Sequence, residues 1–270
     1  MTLTSEIVLN EKRWAKEAIE SLSLGKKPYD TIVRVAKYYK AEGYSKAELR
    51  KMVEQFMLRC SPNISLVKWD NTINAALSAA EKYPLICIDG VSVTDEEMKT
   101  IKSLPGILLQ RLLFTLICLA RLGNEISPRN NNWVNRPQNE IFKLANINIT
   151  SKRQSLMVND LWRAGMVEYS KLVDNTNLRV TAVCDGSPCI TVNDFRNLGN
   201  QYMQYINDGA GYFNCEICGL ALKQRSKKQK YCECCADEVD RAMARDRKAF
   251  KNINDTIFEK FDFGDACAPV

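Results

Sequence analysis

The chain has 270 residues, of which 46% are hydrophobic and 26% charged; this composition excludes a disordered chain and allows one large domain or several small ones. Its net charge of +6 is below the strongly basic level that indicates nucleic-acid binding from charge alone. Histidine is absent, which excludes His-based acid–base catalysis and every His-containing metal site. We therefore expect a protein that is not an enzyme.

The sequence also indicates the compartment. Residues 1–14 contain no basic stretch followed by an apolar run, so no signal peptide is predicted. The longest apolar segment, 107–122, is interrupted by Gln110, Arg111 and Arg121 and is shorter than the ~20 residues of a membrane span. We expect a cytoplasmic protein with no membrane contact. Its 11 cysteines would then be reduced, as metal ligands or buried thiols.

An N-terminal helical domain is predicted over residues 1–104. Ser45 and Glu48 have the spacing of a capping box, and Gly43 ends the preceding helix. The short turn between these two helices fits either a DNA-reading helix-turn-helix or a helical hairpin in a small bundle, and we favour the bundle. The apolar spacing predicts four helices, over about 11–24, 28–42, 45–57 and 71–82.

A short β-hairpin is predicted near residues 85–93. Two β-rich runs flank Asp89-Gly90, a dipeptide typical of two-residue hairpin turns. Thr94 and Glu97 then form a second capping box, which predicts a short helix to about residue 103.

Residues 105–192 have a different pattern. A long apolar helix is predicted over 107–122, and the later elements are two further helices (139–145 and 152–164), two strands (166–172 and 178–183) and a turn at 174–177. This order, with the junction Leu161-x3-Gly165-Met166-Val167-Glu168, resembles the winged-helix DNA-binding domains.

The resemblance implies that helix 152–163 is a recognition helix. Its apolar side chains would be buried against the 107–122 helix: Leu156, Met157, Leu161 and Trp162. Its polar side chains would enter a groove of DNA, and two cations on the wing would contact the backbone: Lys152, Arg153, Gln154, Asn159 and Arg163, then Lys171 and Arg179. Winged helices also dock on proteins, and nearby acidic residues keep that alternative open: Glu140, Asp160, Glu168 and Asp174.

Two Cys-x2-Cys pairs, Cys215/Cys218 and Cys232/Cys235, are separated by 13 residues. Each pair brings two thiolates onto one ion, and Gly219 permits the tight turn; two pairs complete the closed tetrahedron of a structural Zn2+. Cys234 could replace Cys232 or Cys235, and an Fe–S cluster is a second alternative. The spacing, with Gln229-Lys-Tyr-Cys232 and Cys235-Ala236, resembles the zinc ribbons appended to phage and mobile-element proteins.

The segment between the pairs is strongly basic. It contains no acid and five cations in eight residues, namely Lys223, Arg225, Lys227, Lys228 and Lys230. Such a cluster is either a phosphate-binding loop or a solvated loop, and we favour the first. A connecting helix is predicted within 193–213, the ribbon and a following helix occupy 214–252, and 253–270 is predicted to be a loosely ordered tail.

These predictions describe a mainly α protein with small β-hairpins: a helical domain, a winged helix and a C-terminal zinc ribbon. We expect a zinc-containing nucleic-acid-binding protein of a phage or mobile element, active in the host cytoplasm in transcriptional regulation or replication initiation. DNA is the expected partner, and RNA is also compatible. The alternative is a non-enzymatic inhibitor or adaptor that docks on a host protein complex, such as a polymerase or a CRISPR effector. The sequence leaves the oligomeric state open.

Overall fold

The computed structural model describes residues 7–171 and 177–260, with side chains described as far as residue 250. The described chain is mainly α-helical, with three small antiparallel sheets among these residues. It divides into two compact units, Met1–Gly199 and Asn200–Val270.

Four helices open the first unit: α1 (Glu11–Glu20), α2 (Pro28–Ala41), α3 (Lys46–Cys60) and α4 (Leu66–Lys82). Pro28 is at the first helical position of α2, and the predicted capping box of Ser45 and Glu48 begins α3. Buried apolar side chains of all four helices form one core, which includes Ala15, Ile32, Val53, Phe56 and Ile73.

A buried ion pair joins this bundle to the segment that follows it. Nζ of Lys37 in α2 donates to the Glu11 carboxylate of α1 at 3.0 Å. The same carboxylate accepts from the backbone N–H of Ile86 at 2.9 Å. Glu11 therefore links α1, α2 and the chain after α4.

The predicted hairpin over 85–93 is wrong. Strand β1 (Val91–Thr94) pairs antiparallel with β5 (Pro188–Val192), whereas Cys87 forms an isolated bridge with Asn10. Gly90 does not form a hairpin turn. Its lack of a side chain allows the backbone to lie close to Thr191, because a Cβ there would lie 2.9 Å from Cγ2 of Thr191. The β1–β5 sheet crosses the predicted boundary between residues 104 and 105.

The rest of the first unit surrounds the long helix α6 (Ile107–Ile126), whose residues from Leu112 to Ala120 are all buried. The other elements are α5 (Asp95–Ser103), a 3-10 turn (Pro128–Asn130), β2 (Trp133–Val134), α7 (Gln138–Leu144), α8 (Ser151–Arg163), β3 (Val167–Tyr169) and β4 (Leu178–Val180). Strands β2, β4 and β3 form one antiparallel sheet in that spatial order. The predicted turn at 174–177 lies, except for Asn177, outside the described residues.

Helix α6 is long and apolar enough to cross a membrane, with a mean hydropathy of 1.4 over its best 18-residue window. This match concerns length and composition only, and it arises because the helix continues past the predicted end at residue 122 to Ile126. However, 56% of that window is buried by the protein itself, as in the core helix of a soluble protein.

The second unit contains most of α9 (Leu198–Ile206), the two-stranded sheet of β6 (Tyr212–Asn214) and β7 (Ala221–Lys223), and α10 (Glu233–Lys260). The predicted tail from residue 253 is wrong as far as 260, because α10 continues to Lys260. Neither glycine nor proline occurs between residues 233 and 260, so no residue in this range breaks the helix. Residues 261–270 lie outside the described part of the chain.

Candidate metal centre and nucleic-acid interface

Four cysteines converge in the second unit. The Sγ atoms of Cys215, Cys218, Cys232 and Cys235 all lie within 4.8 Å of one another, and Cys218 and Cys232 are 3.8 Å apart. Three of the four are buried and Cys218 is half-buried. Four thiolates at such distances can hold one metal ion, and the set is compatible with a single structural zinc.

The local backbone explains this convergence. The first pair lies on a turn between β6 and β7, closed by a 2.8 Å hydrogen bond from the Gly219 N–H to the Cys215 carbonyl. Gly219 has a φ of +72°, a conformation that a residue with a side chain rarely adopts. The second pair lies at the start of α10, so that its two thiols project from one helical turn. A hairpin turn and a helix start are thereby joined through the cysteines.

The thiols of this cluster differ in pKa because their hydrogen bonds differ. Burial of Cys215 opposes its ionisation, but backbone N–H groups, led by those of Cys218 and Cys232, donate to its sulfur and lower its pKa to about 6. The Cys232 N–H, for example, lies 3.3 Å from this sulfur. The hydrogen bond with Cys232, followed by burial, raises the pKa of Cys235. Metal binding must therefore displace protons from part of the cluster.

Cys234 lies outside the cluster. Its side chain is exposed, and it is not among the thiols that the described structure brings together. On a helix, residues 232 and 235 are three positions apart and share a face, whereas 234 points away from both. The geometry thus favours Cys232 and Cys235 over the alternative in which Cys234 replaces one of them.

The basic segment from Lys223 to Lys230 begins at the end of β7 and leads to the second cysteine pair. Lys230 pairs with Glu216 at 3.4 Å. In the described part of the chain, the other four cations have no acidic partner and are exposed: Lys223, Arg225, Lys227 and Lys228. The backbone N–H of Glu216 also donates to the Lys230 carbonyl at 3.0 Å, which fixes the end of the loop against the first cysteine turn.

In the first unit, α8 presents a polar face to solvent. Lys152 and Arg163 are exposed and Asn159 is half-buried. Their spacing of seven and four residues places all three on one side of the helix. The opposite side packs into the core through Met157, Val158 and Leu161. Arg153 is exposed at the edge of the polar face.

Two side chains predicted to be buried are exposed. Leu156 is 54% exposed and Trp162 is 49% exposed, so this part of the prediction was wrong. Leu156 lies between Lys152 and Asn159 on the solvent side of α8, and Val158 takes the core position instead. The 3.6-residue period centred on Leu161 indicates Met157 and Val158, and counting that period would have separated them from Leu156 and Trp162.

Trp162 forms an aromatic pair that the sequence did not reveal. Its ring centroid lies 6.3 Å from that of Tyr169 in β3, and Tyr169 is 43% exposed. Because Trp162 and Tyr169 lie in different elements, neither helical nor strand periodicity predicts their contact. The pair becomes visible only when the turn at Gly165 brings β3 back along α8.

The other side chains predicted to contact DNA differ in whether they already bond to other groups of the protein. Nε2 of Gln154 donates to the Ile149 carbonyl at 3.2 Å, so this side chain is tied to the start of α8. Arg179 pairs with Glu168 at 3.3 Å and also donates to the Asn131 side chain at 3.3 Å. Lys171 lies just after β3 and is exposed. Arg179 thus stabilises the sheet, and Lys171 is the better-placed of the two for an external contact.

Comparison with family profiles, with curated protein sequences and with solved structures finds no match for this chain.

Proposed function

We propose that this chain is a non-enzymatic, zinc-containing DNA-binding protein that uses α8 as its recognition helix. The order of α6, β2, α7, α8, β3 and β4, with the three strands in one sheet, supports a winged-helix assignment for this segment. The resemblance of the sequence to phage and mobile-element proteins, and a role in transcriptional regulation or replication initiation, remain predictions.

The single observation that carries the proposal is the solvent face of α8. Lys152, Asn159 and Arg163 lie on one side of the helix, and no ion pair among the described residues involves them. Lysine and arginine reach phosphates and guanine edges, and asparagine bonds adenine bidentately. A helix whose other side is fixed to a buried core presents these groups in one geometry.

The four-cysteine cluster supports a second contact. With four protein ligands the ion has no open position, so zinc is structural in this proposal. Its effect is to hold the Lys223–Lys230 loop between two fixed ends. Four cations without acidic partners in the described structure can then neutralise several phosphates, a contribution that carries no sequence preference.

The test is binding of the zinc-loaded protein to labelled duplex DNA, single-stranded DNA and RNA over a salt series, measured by fluorescence anisotropy. We expect tightest binding to the duplex. Lys152→Ala and Arg163→Ala should each weaken it and reduce the salt slope by about one. Lys51→Ala, which removes an exposed cation from α3, is the matched control and should leave affinity unchanged.

Absence of binding to any of the three nucleic acids at low salt would refute the proposal. Equal losses for Lys51→Ala and Lys152→Ala would instead show that binding is non-specific and that α8 is not the contact surface.

A second candidate function has one observation in its favour. Leu156, Trp162 and Tyr169 are large apolar or aromatic side chains that are about half exposed on or beside the same helix. Exposed Trp and Tyr with a nearby Arg163 are typical of the energetic centres of protein–protein interfaces. If the face docks on a protein, Trp162→Ala should abolish a complex that survives high salt, whereas a DNA complex is dissociated by salt.

A further inference from the structure

Helix α10 extends away from the cysteine cluster without neighbours. Every residue from Asp240 to Phe250 is exposed, and no described ion pair involves a side chain of this stretch. Most helical stability in proteins comes from packing of an apolar face rather than from intrinsic propensity. The described side chains of this 28-residue helix beyond residue 239 thus lack the packing that normally stabilises a helix.

The apolar residues of α10 follow a single stripe. Val239, Met243 and Phe250 are spaced by four and seven residues, and Met243 and Phe250 are 51% and 70% exposed. The sequence continues the pattern with isoleucine at positions 253 and 257. Spacings of three and four residues are those of the core positions of a coiled coil. Ala242 and Ala249 flank the stripe, and their small side chains allow another helix to approach closely.

The charges of α10 are mostly acidic in its first part and mostly basic after Asp240. The first part carries Glu233, Asp237, Glu238 and Asp240; the part that follows, 241–248, carries four cations and one acid, namely Arg241, Arg245, Arg247, Lys248 and Asp246. If two such helices lie antiparallel, the acidic part of each faces the basic part of the other. If they lie parallel, like charges face each other. The charge pattern is thus self-complementary only in the antiparallel arrangement.

From these observations we propose that α10 pairs antiparallel with α10 of a second copy of this chain. In the alignment that matches both stripe and charges, Val239 faces Phe250 of the second copy, and Asp240 faces Arg247 of the second copy. The symmetry of the pair produces each of these contacts twice. Asp246 interrupts the stripe near its centre, and a polar residue there fixes the register and lowers the affinity.

The experiment is sedimentation velocity of the full-length, zinc-loaded protein over a concentration series, without nucleic acid. A reductant excludes disulfide dimers through the exposed Cys234. We expect a concentration-dependent species of twice the 30.7 kDa chain mass. Phe250→Glu should shift it to the monomer at every concentration while zinc content is unchanged. A wild-type protein that remains monomeric throughout the series would overturn the proposal.

Charge reversal tests the antiparallel arrangement. Arg247→Glu should weaken the dimer at least about tenfold, and the double variant Asp240→Lys with Arg247→Glu should restore it, because the facing pair is then reversed. Lys248→Glu makes the same change in charge on the side of α10 that faces away from the apolar stripe, and it should have a much smaller effect. Failure of the double variant to restore the dimer would exclude this alignment. Since no nucleic acid is present, neither result depends on the proposed DNA binding.

Discussion

The fully buried carboxylate of Glu97 accepts hydrogen bonds from Nε of Arg121 at 2.9 and 3.1 Å. Glu97 is also the capping-box residue of α5, where it accepts from the Thr94 N–H at 2.8 Å. Its carboxylate further accepts from the backbone N–H of Cys184 at 3.2 Å. One carboxylate therefore joins α5, α6 and the chain that follows β4.

We expect Arg121→Met to destabilise the first unit by about 3 kcal/mol, because it leaves the Glu97 carboxylate buried without its counter-charge. Thermal unfolding followed by circular dichroism measures the change. Lys99→Met is the control: it removes an exposed partner of Glu96 on the same helix and should leave the melting temperature unchanged. Equal effects of the two substitutions would contradict the role of the buried pair.

Metal content distinguishes the ligand cysteines from their neighbour. Cys215→Ser should remove the zinc and make residues 212–235 sensitive to protease, because the segment lacks a core of its own apart from the cluster. Cys234→Ser should retain one equivalent of metal. Elemental analysis of the purified proteins and limited proteolysis provide the two measurements; retention of zinc by Cys215→Ser would show that the ligand set is different.

The basic loop should contribute to nucleic-acid affinity only through its positive charges, so that its contribution falls as the salt concentration rises. Replacing Lys223, Arg225, Lys227 and Lys228 with glutamine should lower the salt slope of DNA binding by about 0.9 for each phosphate that the loop contacts. The preference among DNA sequences should not change. A changed preference with an unchanged slope would place the loop at base edges instead.

Gly199 should not tolerate alanine, although it lies in α9 where alanine normally favours the helix. A Cβ there would overlap the backbone carbonyl oxygen of Ala145 and lie 2.9 Å from Nε of Arg111. Because backbone cannot give way easily, we expect Gly199→Ala to destabilise the protein by about 2 kcal/mol. A rise in the melting temperature would show that the backbone at Gly199 can move away from Ala145.

Thiol reactivity should follow burial. Cys118 is fully buried in α6, and this burial raises its pKa, so its thiol is neither ionised nor accessible. Exposed Cys87 and Cys184 are the matched comparison. After brief iodoacetamide treatment of the native, zinc-loaded protein, peptide mapping should find Cys87 and Cys184 alkylated and Cys118 unmodified until denaturant is added.

Features fixed by short-range chemistry were predictable from sequence. The capping boxes at Ser45 and Thr94 begin α3 and α5 in the structure, because each depends on residues only three positions apart. The convergence of the two Cys-x2-Cys pairs was predictable for a similar reason. Each pair is local, and metal-binding chemistry specifies what the pairs do together.

Features that depend on distant partners were not predictable. The Asp89-Gly90 signal predicted a local turn, but the β-rich run after it pairs with residues near 190, a contact that nothing in the local pattern specifies. The exposure of Leu156 and Trp162 was misjudged because apolar identity was weighted above helical period. Sequence alone likewise could not show that Glu168 and Asn131 engage Arg179.

The pairing of β1 with β5 brings residues about 100 positions apart into register, with Val91 opposite Val192. The chain between β1 and β5 therefore begins and ends at neighbouring positions, because these two strands are paired. A fragment cut at 105 and 192 would lose β1 and leave β5 without its partner strand, whereas one spanning 90–193 would keep both strands. Any truncation of the first unit that retains α8 should therefore keep these two strands together.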